Sequence, residues 1–311
     1  MMGARIIAVS KHFKYNTRIT TFELSFPRWI LAEFNTHRLL SRNSASSRAI
    51  PIKANIENIM ADTAMPVHWG VNQPGMVADA EANEEITAAA KTIWYEARNN
   101  AIKSAEALST LGIHKQVANR LVENFTYQKV IVTATEWDNF FWLRSHKDAQ
   151  PEIRVLAELM LKAYNESEPE VLQLGEWHTP YVAHARHNVT NELHYMNSEG
   201  GEFTLDEARK VSASCCAQVS YRKNDDTVEK AIKVYDMLNL DSTDDNTRKH
   251  SSPIEHQATP IPLDEYILDI PGATHEDLEG TCWSGNFRNW IQYRHLFDED
   301  SCTKHPEIVV K

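Results

Sequence analysis

No apolar run in this 311-residue chain approaches the roughly 18 residues a membrane-spanning helix requires, and Met1 to Ser10 lacks a signal peptide's long apolar region. Both absences lead us to expect a cytoplasmic protein with no membrane partner. Cysteine is scarce. Of the four, Cys215 and Cys216 are adjacent and Cys282 and Cys302 stand apart, which gives neither a disulfide framework nor a paired Cys-x-x-Cys zinc pattern. Glycine is sparse as well, at 10 residues, and with 42% apolar content this excludes collagen, fibre and a disordered chain. Net positive charge is also missing: the balance is −11, which argues against a nucleic-acid polymer as the main partner.

What positive charge there is sits at one end. Residues 1–53 carry nine Lys and Arg against Glu23 and Glu33, a local balance of +7, so the other 258 residues hold −18. Such a segment can focus a small anion toward a pocket, or be no more than a solvated basic face. Residues 19–26 alternate, with Phe22, Leu24 and Phe26 on one side and Thr21, Glu23 and Ser25 on the other, which predicts a half-buried strand. Pro27 then opens a short helix whose stripe of Trp29, Ile30, Leu31 and Phe34 leads to Thr36-His37-Arg38. The polar stretch from Ser41 to Ser47 reads as a loop or helix terminus.

Further on, residues 65–76 predict a structured loop and residues 79–111 the longest helix, with Gly112 as its cap. Helices are expected over 114–125, 136–145 and 151–164, with Val130 to Thr133 the one β-rich interruption. After the turn at 197–201, Thr204 and Glu207 form a capping box for a helix reaching about Tyr221, and 227–240 is a second amphipathic helix before an acidic loop at 241–246. Cys215 and Cys216 fall in a helical pattern as buried small hydrophobes, not nucleophiles. The tryptophans, Trp142 and Trp177 among them, read as core or interface anchors. His178, His184, His187 and His194 match no metal-ligand spacing, and no metal site is expected.

Two clusters carry chemistry. His37, Arg38, Arg42 and Arg48 crowd one segment with Asn43, Ser44, Ser46 and Ser47, and guanidinium forks with hydroxyl donors suit a phosphate. The second cluster is Asn139-Phe140-Phe141-Trp142-Leu143-Arg144, followed by Ala149-Gln150-x-Glu152-Ile153-Arg154. Thr36-His37-Arg38, seven residues, then Ser46 resembles the Arg-His-Arg, seven residues, Ser signature of the flavin-dependent thymidylate synthases. The second cluster resembles that family's second block, in the right order. Look-alikes of two segments that normally precede the signature come last here: Ala217-Gln218-Val219-Ser220-Tyr221 and His250-Ser251-Ser252-Pro253-Ile254-Glu255-His256. The order suggests a circular permutation, which domains with neighbouring termini tolerate.

The resemblance implies a mixed α/β fold, an antiparallel sheet flanked by long helices. Residues 1–170 would form the core, 171–204 a linker or insert, and 205–311 a permuted segment completing the same fold. It implies FAD held by His37, Arg38, Asn139, Ser220, His250 and Ser252. It implies a dUMP-like nucleotide held by Ser46, Arg48, Arg144 and Gln150, with Arg144 and Ser46 catalytic. It also implies methylenetetrahydrofolate as carbon donor, NADPH as reductant and a homo-oligomer, a tetramer with sites between subunits. Thr36 replaces the first Arg of the signature, Ser44 a Glu and Ala49 a Tyr; Glu33 stands near a usual Gln, and Thr133 and Thr135 stand where Asn and Arg are common. These departures leave three readings open: methylation, hydroxymethylation, and an inactive nucleotide-binding relative.

Overall fold

A computed structural model of the chain describes residues 1–76, 78–220, 225–238, 250–262 and 267–297. Its central sheet grows from the alternating strand. β1 (Gly3–His12) and β2 (Arg18–Pro27) form an antiparallel hairpin, and β2 pairs on its other side with a later strand, so its burial is nearly continuous. Pro27 ends the strand and a 3-10 turn leads into α1 (Leu31–Phe34). Ser41 to Ser44, expected as loop, is instead an edge strand, β3. After α2 (Ile52–Ala61) comes α3 (Glu84–Thr110), which starts where Asn83 caps the Ile86 amide and ends before Gly112 at φ +79°. Residues 114–125 split into α4 (Lys115–Ala118) and a 3-10 stretch.

β4 (Tyr127–Ala134) pairs with both β2 and β3; α5 (Asp138–Arg144) and α6 (Pro151–Glu166) follow, and β5 (Glu170–Leu172) closes the sheet in the order β3-β4-β2-β1-β5. Only the β1–β5 pairing is parallel. One face carries Phe22, Leu24, Phe26, Val130 and Val132 against Trp137, Phe140, Ile153 and Leu156 of the helical side. Interlocked aromatics hold it, with the Phe22 and Trp137 centroids 5.1 Å apart edge to face. Trp142, expected as an anchor, lies on the opposite side of α5 and is 76% exposed.

The polar face of β2 is not left to solvent. Within residues 171–204, β6 (Ala183–Arg186), β7 (Leu193–Met196) and β8 (Glu202–Phe203) form a small antiparallel sheet. α7 (Leu205–Ala217), α8 (Val228–Met237) and the strands β9 (Ala258–Pro260), β10 (His275–Glu276), β11 (Cys282–Ser284), β12 (Phe287–Arg288) and β13 (Trp290–Gln292) complete the chain. These parts share one core, in which Trp177, Tyr195 and Phe203 meet Val211, Tyr235, Phe287 and Trp290. Thr204 and Glu207 form the expected capping box. Cys215 and Cys216 are fully buried, and burial raises both thiols, Cys215 to about 12.

A buried polar chain joins this part to the sheet. The Ser10 hydroxyl lies 2.9 Å from His178 Nδ1, His178 Nε2 lies 2.8 Å from Thr21 Oγ1, Thr21 lies 2.7 Å from the Thr133 hydroxyl, and Thr133 lies 2.9 Å from His256 Nδ1. Burial pushes both imidazoles down to about 3 and keeps them neutral. Among the described residues no helix is long and apolar enough to cross a membrane. The expected acidic loop at 241–246, Tyr221 and Cys302 lie outside the described residues.

Candidate functional site

The first motif forms the turn between α1 and β3. His37 and Leu40 fold back on Phe34 and His37 carbonyls, and β3 then pairs with β4 from Ser41 opposite Thr133. α5 leaves the end of that same β4 and stops at Arg144, so the strand pairing brings together two motifs about a hundred residues apart. Arg144 Nε donates to His37 Nε2 at 2.8 Å, its Nη1 pairs with the Glu33 carboxylate, and Nη2 lies 3.5 Å from the Thr36 hydroxyl. Because an arginine Nε always carries hydrogen, His37 Nε2 accepts and the ring proton belongs on Nδ1. Partial burial, then Arg144 and Arg42, lowers the imidazole to about 4. Its ring stands edge to face with Phe140 at 4.9 Å.

The same turn presents cations on its other side. Arg42 Nη1 donates to the His37 carbonyl at 2.6 Å and to the Asn35 carbonyl at 3.4 Å. Burial and then Arg38 lower the Arg42 guanidinium, with Glu255 opposing. Arg38 is exposed and makes no ion pair among the described residues. Both line a pocket of about 410 Å³ together with Gln292, Glu255, Arg294 and His295 of the C-terminal part.

The remaining candidates are dispersed. The Ser46 amide donates to the Ser220 hydroxyl at 2.9 Å, which brings a nucleotide candidate beside a flavin candidate. Arg48 lies apart, exposed in an apolar hollow with Leu108, Val117 and Leu121. Asn139, His250 and Ser252 are exposed. Gln150, expected to touch substrate, is the N-cap of α6: its oxygen accepts from the Ile153 amide at 3.1 Å and its nitrogen bonds Glu152. The amide is spent on the helix end, and that spacing of Gln before Pro151 is the signal for a cap.

Sequence reasoning gave no role in the site to Arg294, Asn286 or Gln292. It also missed what two departures do. Thr133 bridges Thr21 and His256, and the Thr135 hydroxyl accepts from the Arg288 amide at 3.0 Å, so both serve the docking of the C-terminal part.

Fold and site together define a mixed α/β protein in which a histidine–arginine contact adjoins a cationic pocket. Residues 15–170, half of the chain, match the family model described as thymidylate synthase complementing protein, and the chain belongs to that family. Both motifs lie inside the matched span; residues 255–295 lie outside it. Two solved structures of the UMP/dUMP methylase PolB from Streptomyces cacaoi resemble the chain. The one bound with 5-Br dUMP shows 16% identity and a TM-score of 0.44, covering 53% of this chain and 90% of its own. The one bound with 5-Br UMP shows 17% identity and a TM-score of 0.45, covering 53% and 89%. Among curated proteins none matches the chain.

Proposed function

We propose that the protein is a flavin-dependent thymidylate synthase of the cytosol, converting dUMP to dTMP with methylenetetrahydrofolate as carbon donor and NADPH as reductant. The observation that supports this most is the 2.8 Å contact between Arg144 and His37, which joins the two motifs of the matched family span. The donor chemistry fits an anionic flavin cofactor: Arg38 offers a guanidinium with no ion pair among the described residues, and the Asn139 side chain on α5 is exposed. FAD, when bound, supplies the hydride that completes the methyl group.

The chain's own residues bind and polarise. Arg144 is a planar cation, suited to the carbonyl edge of a pyrimidine, where it stabilises the negative charge that develops as C5 becomes nucleophilic. His37 is neutral and accepting at Nε2, so it orients the guanidinium without adding a competing charge. The Glu33 carboxylate holds the other end of the fork until a ligand's oxygens share it. Ser46 offers its hydroxyl to the nucleotide phosphate, and Ser220, which accepts from the Ser46 amide, stands next to it on the side of the flavin. Arg48 reaches that phosphate only if another subunit brings a site to its exposed hollow; Ile93, Leu111 and Val117, exposed by 66%, 78% and 48%, supply apolar surface for a homo-oligomer. Residues 205–311 complete the fold as a permuted segment, a reading supported by the bonds from Asn43 to Cys216 and from Gln292 to Ser41.

One observation favours a hydroxymethylase as the second reading. Thr36, where the family carries Arg, spends its hydroxyl on the Glu33 carbonyl at 2.7 Å, which removes one hold on the cofactor. Mass spectrometry of the nucleotide formed from dUMP under anaerobic, reductant-supplied conditions decides between them. An added methyl supports the synthase, and an added hydroxymethyl supports the second reading. Neither product, with no spectral change on FAD addition, would leave the inactive nucleotide-binding relative.

A further inference from the structure

The pocket beside Arg38 is built from two parts of the chain, only one of which lies in the family span. The motif turn contributes Arg38, Ser41 and Arg42; residues outside the span contribute Glu255, Arg294 and His295. We propose that this pocket is a phosphate site, and that Arg42 and Arg294 are its anion-binding residues, the second supplied by the 3-10 turn Tyr293–Leu296 that follows β13. The inference rests on the nucleotide-enzyme reading for the identity of the ligand but not for the existence of the site.

Three observations carry it. The first is charge: among the described residues three guanidiniums line about 410 Å³, Arg294 engaging the Glu255 carboxylate and Arg38 exposed beside Arg42. Converging cations are costly to hold together without an anion, and Arg38 and Arg42 feel each other across this pocket.

The second is rigidity. Gln292 is 2% exposed and donates through Nε2 to the Ser41 hydroxyl and the Glu255 carbonyl, each at 2.9 Å, while Asn286 donates to the Leu39 carbonyl at 2.9 Å. These bonds, the one from Gln292 to Ser41 buried, hold β13 and the turn between β11 and β12 onto the motif turn, so the cations are placed before any ligand arrives.

The third is close approach. Gly285 sits at φ +60°, a conformation that L side chains rarely adopt, and a Cβ there would lie 2.4 Å from His295 Nε2, so a larger residue would strain the turn and push the imidazole from its place on the pocket wall. A solvated basic patch would require neither the buried frame nor this approach.

A diphosphate of a dinucleotide cofactor and the monophosphate of a nucleotide share the chemistry, and titration separates them. Binding of inorganic pyrophosphate, FAD and dUMP to the full chain is measured by calorimetry for the wild type, R42Q, R294Q and E255Q. We expect pyrophosphate to compete with FAD and each arginine variant to weaken both by at least about tenfold, the loss of one charge-assisted bond, with dUMP unchanged. Weakened dUMP binding instead keeps the site and assigns it to the nucleotide. E255Q removes the pocket's carboxylate and should tighten anion binding, the opposite of what a purely structural role for the Glu255–Arg294 pair would give. Pyrophosphate binding that depends on Arg42 and Arg294, with no binding of FAD or dUMP, would overturn the functional reading and uphold the site. Unchanged pyrophosphate, FAD and dUMP affinities in all three variants, at unchanged melting temperature, would overturn the site.

Discussion

Replacing Arg144 with alanine tests the site at its most connected point. The substitution removes the bond to His37 at 2.8 Å and the ion pair with Glu33, and leaves the Thr36 contact at 3.5 Å too long to matter much. A hydrogen bond to a charged group contributes about 1.5–3 kcal/mol when buried. Here the Arg144 and Glu33 side chains are 19% and 32% exposed, and exposed ion pairs are worth only about 0.2–1 kcal/mol, so we expect a total loss near 2 kcal/mol. The more specific signature is electrostatic. Burial is the main reason His37 lies near 4 and Arg144 the next, so R144A should raise the imidazole toward its ordinary value without reaching it. Histidine NMR titration reads that shift, urea melts read the stability, and tritium release from C5-labelled dUMP reads the chemistry, which should vanish. Arg144→Lys keeps a charge but not the fork, so it should restore part of the His37 depression and little of the activity. A His37 titration that does not move in R144A would refute the contact and, with it, the polarising role built on it.

Acidification should destabilise the protein. His37, His178 and His256 are depressed to about 4, 3 and 3, below the ordinary 6.5, so their neutral-state stability is fully present above pH 6.5. As pH falls from about 6.5 toward 3, the unfolded chain takes up protons the folded one refuses, and the melting temperature should drop progressively; a flat profile from pH 7 to 4 would contradict this. Thr133→Val, which keeps the shape but removes the hydroxyl between Thr21 and His256, should cost about 2–3 kcal/mol in a urea melt, because His256 Nε2 already lacks a partner among the described residues. A loss under 0.5 kcal/mol would mean the buried chain is dispensable.

The elements legible in the sequence were those whose pattern is local. Alternation over 19–26 found β2, Thr204 with Glu207 found the start of α7, and Pro151 found the start of α6. Pattern failed where neighbours decide. β3 is four polar residues whose only strand signal is the ladder offered by β4, and β1 carries too many small and basic positions to alternate cleanly. The strand β2 itself was read as half-buried because Thr21, Glu23 and Ser25 are polar. Its second face is covered after all, since Thr21 bonds His178 and Glu23 accepts from the Tyr181 hydroxyl at 2.8 Å. Polar side chains that find partners across an interface look, in sequence, the same as polar side chains facing water.

That ambiguity also set the limit for the site. His37, Arg38 and Arg144 stand out because cations in a fixed spacing are rare, and the structure puts His37 against Arg144 and opens Arg38 into a pocket. Arg294, Gln292 and Asn286 do not stand out, because the residues that give them meaning are some 250 positions away, on a turn they reach only after the C-terminal part has docked. The docking is itself written in Thr133 and Thr135, two positions that looked like lost polar contacts. Their hydroxyls bond the His256 imidazole and the Arg288 amide, so these two positions hold the C-terminal part on the sheet. Thr133, within β4, and Thr135, just past its end, are thus two places at which the C-terminal part, and with it the turn that carries Arg294, is held against the sheet.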